Sequence, residues 1–137
     1  MTAAYPAILF DLDGTLVLSL ETKINNAAHL WSEKYTVSPE MVRTAYKSHS
    51  GLPRRQLFQL IGQETIGRSL SDEEFGELSE EFTRCNIETL RLQPFVIGCE
   101  ALLLDLSMVG VKMGISSSAD PIEVEMCLRN RRGSSLR

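Results

Sequence analysis

Cysteine, tryptophan and histidine are scarce in this chain, and no apolar stretch in it is long. The 137 residues include three Cys, one Trp and two His. Cys85, Cys99 and Cys127 are odd in number and widely spaced, with no Cys-x-x-Cys pair among them. That argues against a zinc ribbon or a disulfide framework and suits reduced thiols in a cytoplasmic protein. Neither His29 nor His49 lies in a nucleophile motif, so a Cys–His catalytic pair is not indicated. No apolar run approaches the roughly 20 residues of a membrane span, and the run Ala7-Ile8-Leu9-Phe10 is too short for a signal-peptide core. An excess of positive charge is also missing. With 14 Lys and Arg against 18 Asp and Glu, the formal net charge is −4, so bulk electrostatics draw the chain to neither nucleic acid nor a membrane surface. A small anionic substrate would need local cationic help, a metal ion first of all. No repeat or low-complexity segment occurs. The remaining composition, 43% hydrophobic and 23% charged, is that of an ordinary globular domain with a modest core.

Against that background one segment stands out, Ala7-Ile8-Leu9-Phe10-Asp11-Leu12-Asp13-Gly14-Thr15-Leu16. Four apolar residues that break abruptly into charge and glycine read as a buried strand ending at a turn. In open α/β sheets, ligands bind at the carboxyl ends of strands. Two acids there repel unless a metal or a shared proton sits between them. Gly14 allows a tight backbone path, and the Thr15 hydroxyl can bond the turn or a ligand oxygen. Asp-Gly is equally the ordinary chemistry of a surface turn, and these residues alone fit both readings. A calcium loop does not fit, because an EF-hand places its glycine sixth and needs a third acid.

Downstream, Ile24, Ala27, Ala28, Trp31 and Tyr35 recur at helical spacing. Ser38-Pro39 reads as an N-cap with proline at the first helical position of a second helix running to about Lys47. Gly51-Leu52-Pro53 breaks the chain before a third helix from Arg54 to about Ile66, with Leu57, Leu60 and Ile61 apolar. Ser71 with Glu74 forms a capping box ahead of a fourth helix toward Leu90, its face formed by Phe75, Leu78, Phe82 and Cys85. After Pro94-Phe95, a helix from Glu100 to Met108 stops at Gly110, and Val111-Lys112-Met113-Gly114-Ile115 reads as a second strand. Ser116-Ser117-Ser118 follows it. Asp120, Pro121 and Glu123 then supply an N-cap, a first-turn proline and a first-turn acid for a last helix. The order is a βα pattern with a large helical insertion. The three serines by themselves read as helix capping. Arg54 suits either a solvated helix opening or a cationic fork for a phosphate or carboxylate. His29 and Trp31 read as packing residues and His49 as a surface one.

The first motif resembles that of the haloacid dehalogenase-like hydrolase superfamily, Asp-x-Asp-Gly-Thr-Leu, in a branch similar to phosphoglycolate phosphatases. The resemblance covers about Tyr5 to Arg129. It implies an α/β fold: a partial Rossmann-like parallel sheet core (1–18 and 93–137) with an inserted helical cap (19–92). It also implies that Asp11 is the nucleophile and Asp13 the general acid/base, a second acid the true dehalogenases lack. Mg2+ would be held by the Asp11 carboxylate and, by family analogy, the Asp13 backbone carbonyl. Ser116 matches the family's second motif, a phosphate-binding Ser or Thr, with Ser117 and Thr15 beside it. Ser50-Gly51-Leu52-Pro53-Arg54 resembles the cap's specificity loop. Two departures are a Leu at position 18, where the family often has Asp, and a cap-to-core link, Pro94-Phe95-Val96-Ile97-Gly98, one residue longer than usual.

The family's third motif, a downstream Lys, and its fourth, an acidic pair, have no counterpart after Ser116. Lys112 precedes Ser116 and is no substitute. The last residues, Asn130-Arg131-Arg132-Gly133-Ser134-Ser135-Leu136-Arg137, are basic and without apolar period, as in a tail. The sequence therefore reads as a C-terminally truncated member. The activity expected is magnesium-dependent hydrolysis of a small phosphorylated metabolite through an aspartyl phosphate, weakened by the missing groups. A sugar-phosphate phosphomutase and a non-catalytic remnant acting as an interaction protein are the alternatives. Neither a nucleic-acid nor a membrane partner is expected.

Overall fold

Each helix of this chain opens beside a proline, serine or glycine: Ser19, Pro39, Pro53, Ser71, Gly98 and Pro121. The computed structural model describes residues 7–129; the basic segment 130–137, read above as a tail, lies outside the described residues. The elements are β1 (Ala7–Phe10), α1 (Leu20–Tyr35), α2 (Pro39–Ser48), α3 (Arg54–Ile66), α4 (Asp72–Leu90), α5 (Cys99–Met108), β2 (Lys112–Ile115) and α6 (Pro121–Arg129). Four helices thus lie between the first strand and α5, as the spacing predicts. Pro39 opens α2 after an extended Ser38, whose hydroxyl makes no capping bond. Ser71 does cap α4: its hydroxyl accepts from the Glu74 amide at 3.1 Å, and Glu74 accepts from the Ser71 amide at 2.9 Å.

The chain divides into two compact units, Met1–Leu20 with Gln93–Ser117, and Glu21–Leu92 with Ser118–Arg137. The sequence reading places 118–137 with the strands. The described part, α6, instead groups with the helices because it packs on α4 and buries Glu123 and Cys127.

The first unit holds β1 and β2, hydrogen-bonded in parallel with Ala7 opposite Lys112 and Phe10 opposite Ile115. A parallel pair requires a long crossover, and the helical insert and α5 occupy it. Gly98, at φ 87°, turns the chain into α5 from a conformation that side chains disfavour. Leu9 is 73% exposed, and Leu102, Leu104 and Met108 of α5 are exposed too.

The second unit has its own core. Ile24, Ala27, Ala28 and Trp31 of α1 pack with Val42, Ala45 and Tyr46 of α2, Leu57, Phe58 and Ile61 of α3, and Leu78 and Phe82 of α4. Phe58 is central: its ring meets Trp31 edge-on at 4.7 Å and Phe82 at 5.3 Å. Such pairs add about 0.5–1.5 kcal/mol beyond burial. Two expectations shift here. His29 is exposed and faces Glu33 at 3.5 Å, so it is not a packing residue. On α4 the buried position past Phe82 is Asn86, while Cys85 is half-buried.

Phe58→Ala is expected to destabilise the helical unit by about 3–5 kcal/mol, read as a lower urea midpoint. The stability of the helical unit also depends on pH. Two bonds from Arg68, at 2.7 and 2.8 Å, and the Ser71 amide hold the Glu74 carboxyl well below its ordinary value. Because the folded value lies below the unfolded one, the stabilisation is complete above the ordinary Glu range, near pH ~4.3. It is lost as pH falls through the folded value. Glu74→Gln should flatten the acid side of the stability profile. Burial, with Glu74 nearby, pushes the Tyr35 hydroxyl up to about 12. Its contribution is therefore full below the ordinary value of ~10 and fades as pH rises through the folded value.

Candidate active site

The two acids sit in the loop that leaves β1. Phe10 is the last paired residue of β1 and Ile115 the last of β2. The Ser116 amide donates to the Phe10 carbonyl at 2.8 Å, so Asp11 and Ser116 leave adjacent parallel strands at the same end. That is the carboxyl end, where strand-end loops of α/β sheets meet ligands.

Past Asp11 the chain winds tightly. The amides of Leu16 and Val17 both donate to the Leu12 carbonyl, at 3.0 and 3.1 Å, and the Gly14 amide donates to Val17 at 2.8 Å. Gly14 lies at φ 77°, which accounts for glycine there. Leu12, Leu16 and Val17 are buried and anchor the loop. The Leu18 amide bonds to the Pro94 carbonyl at 3.1 Å, and the Val96 amide to the Leu16 carbonyl at 2.9 Å. The acidic loop is thereby laced to the strand of chain that returns from the helices.

Within this frame Asp11 is exposed and Asp13 half-buried. The Ser19 hydroxyl, itself buried, donates to Asp13 Oδ1 at 2.6 Å, a charge-assisted bond that fixes the carboxylate's orientation. Thr15 Oγ1 lies 3.5 Å from Asp11 Oδ2, a long contact. The Cys99 thiol points at the Thr15 carbonyl at 3.4 Å. Ser19 was missed in the sequence, where a serine just ahead of a helix reads as a cap and gives no sign of reaching back six positions.

Among the described residues, no group of three or more His, Cys, Asp and Glu is placed to hold a metal. The two acids of the loop nevertheless fit Mg2+ in one respect. That ion keeps several waters and is usually bound through one or two carboxylates together with substrate phosphate oxygens. Hard oxygen donors with one carboxylate open to solvent are the donor set for such a site.

Arg54, expected to grip a remote anionic group, is committed elsewhere. Its guanidinium donates to Glu123, to Thr83 Oγ1 at 2.6 Å and to Ser79 Oγ at 3.3 Å, and it lies 5.0 Å from the centre of the Phe82 ring. In this structure it is part of the helical unit's interior, not a free cationic fork. Ser117 is half-buried just beyond Ser116. His49 Nε2 is 2.5 Å from Glu64. The Glu123 cluster was also missed: an acid in the first turn of a helix reads as a dipole partner, and nothing local shows that its side chain turns inward.

A search of curated proteins returns no match. Among solved structures, that of a hydrolase from Pseudomonas syringae is similar in fold, with a TM-score of 0.75 at 21% identity. The match covers 91% of this chain and 55% of that one, so this chain spans about half its length. A sequence model of haloacid dehalogenase-like hydrolases matches residues 8–134, a span that contains the acidic loop, the helical insert, the parallel partner strand and the serine turn. With two strands paired in parallel, acids and serine leaving the same end, and helices inserted between them, the chain belongs to the haloacid dehalogenase-like hydrolase family.

Proposed function

We propose that the chain carries the nucleophile end of a magnesium-dependent phosphate-monoester hydrolase acting on a small cytoplasmic metabolite. The observation that carries this reading is the departure of Asp11 and Ser116 from adjacent parallel strands at their carboxyl ends. In the first step an Asp11 carboxylate oxygen attacks phosphorus, the ester P–O bond breaks, and Asp13 gives a proton to the departing alkoxide. In the second, Asp13 takes a proton from water, the water oxygen attacks phosphorus, and the bond to Asp11 breaks to release inorganic phosphate. The Ser19 bond to Asp13 Oδ1 orients the carboxylate that would move the proton. Ser116, with Ser117 and Thr15, would bind phosphoryl oxygens. Asp11 and Asp13 would hold Mg2+, which offsets phosphoryl charge when bound. Arg54 is given no part in the chemistry, since its guanidinium is bonded to Glu123 and Thr83.

The test is phosphate release from a panel of small phosphomonoesters with and without Mg2+, together with acid quenching and peptide mapping for a phosphoryl group on Asp11. Asp11→Asn should abolish both release and adduct, and Asp13→Asn should slow turnover by about 10²–10⁴. Ser19→Ala keeps both carboxylates and removes one hydrogen bond, so kcat should fall about tenfold. Mg2+-dependent release that persists unchanged in Asp11→Asn would defeat the proposal.

A further inference from the structure

The most heavily bonded buried charge among the described residues of the helical unit is the Glu123 carboxylate of α6, whose side chain is 1% exposed. It draws on three other helices. Arg54 of α3 and Thr83 of α4 donate to Oε1, Thr83 at 3.1 Å. Asn86 of α4 donates to Oε2 at 3.2 Å, and Lys23 Nζ of α1 lies 3.6 Å from the same atom. Both oxygens are thus met by a cation and a neutral donor. A carboxylate buried without such partners would be strongly disfavoured.

The donors are also held in place by bonds that do not involve Glu123. Asn26 donates to Asn86 Oδ1 at 2.9 Å, which turns the Asn86 amide nitrogen toward the carboxylate, and bonds Thr89 at the same distance. Arg54 is fixed by Ser79, by Thr83 and by its stacking on Phe82. Donors oriented in advance and aimed at one point are what distinguishes a binding site from charges that merely found each other.

We propose that Lys23, Arg54, Thr83 and Asn86 form a carboxylate receptor within the helical unit. Glu123 fills it in this structure as an intramolecular ligand, and a small free carboxylate binds there once Glu123 is removed. The inference stands on this cluster alone and does not depend on the chemistry assigned to Asp11 and Asp13.

Thermal unfolding of the full chain tests it, with sodium acetate against sodium chloride at equal ionic strength. Glu123→Ala should unfold well below the wild type in chloride. Acetate should restore it saturably, by roughly 3–6 °C for each tenfold rise above the dissociation constant. Glu123→Gln, whose amide still fills the space, should show no acetate response, and adding Lys23→Met to Glu123→Ala should abolish the response. If Glu123→Ala is unfolded in chloride, recovery of its helical circular dichroism in acetate is the same result. The proposal is overturned if acetate and chloride act alike on Glu123→Ala, if no acetate concentration restores it, or if Glu123→Gln responds equally.

Discussion

Parallel strands cannot be joined by a tight turn, and that constraint organises the acidic loop and everything attached to it. β1 and β2 pair in parallel, so the chain must leave the sheet at Asp11 and return from the opposite end before Lys112. Both strands then finish at the same edge. The consequence is chemical as well as topological: Asp11, Asp13 and Ser116 share a strand end although about a hundred residues separate them in the chain. Had the strands paired antiparallel, the serine turn would have met the amino end of β1.

The two units solve the burial problem differently. The helical unit closes its apolar stripes on one another around Phe58, with Trp31, Phe75 and Phe82 as ring neighbours. Its stability therefore comes from long-range packing of ordinary amphipathic helices, reinforced by the Ser71–Glu74 box and the Arg68 fork. The strand-bearing unit relies on the tightly wound loop, where Leu12, Leu16 and Val17 are buried, while Leu9 and much of α5 stay exposed. Parallel sheets are ordinarily covered on both faces. The described residues of this one leave Leu9 and Met113 in contact with solvent.

Both units bury polar groups that are satisfied by side-chain partners. Ser19 is buried and donates a hydrogen bond to Asp13, so one catalytic candidate is oriented by a residue with no apparent chemistry of its own. In the helical unit, Glu123, Asn86 and Lys23 are buried and satisfied together. Removing any one would leave the others costly, because in a low-dielectric interior a half-satisfied network is worse than none. The network joins α6 to α1, α3 and α4.

The sequence alone determined the elements and most of their ends. Hydrophobic period, caps, prolines and glycines are local signals, and local backbone physics reads them directly. Residue type and order near one strand end also brought out the Asp11–Asp13 loop, whereas the Ser116 turn stood out only through the resemblance to a known family. Only the tertiary structure decided the partners. Whether Cys85 or Asn86 faced inward on α4 depended on a carboxylate 37 positions away. Whether Arg54 was a free fork or an interior cation depended on one 69 positions away, and α6, which carries that same Glu123, groups with the helices. Side-chain charge in a sequence has a type and a place along the chain. Where it points is set by which desolvated groups can be satisfied at once, and that is a property of the folded whole.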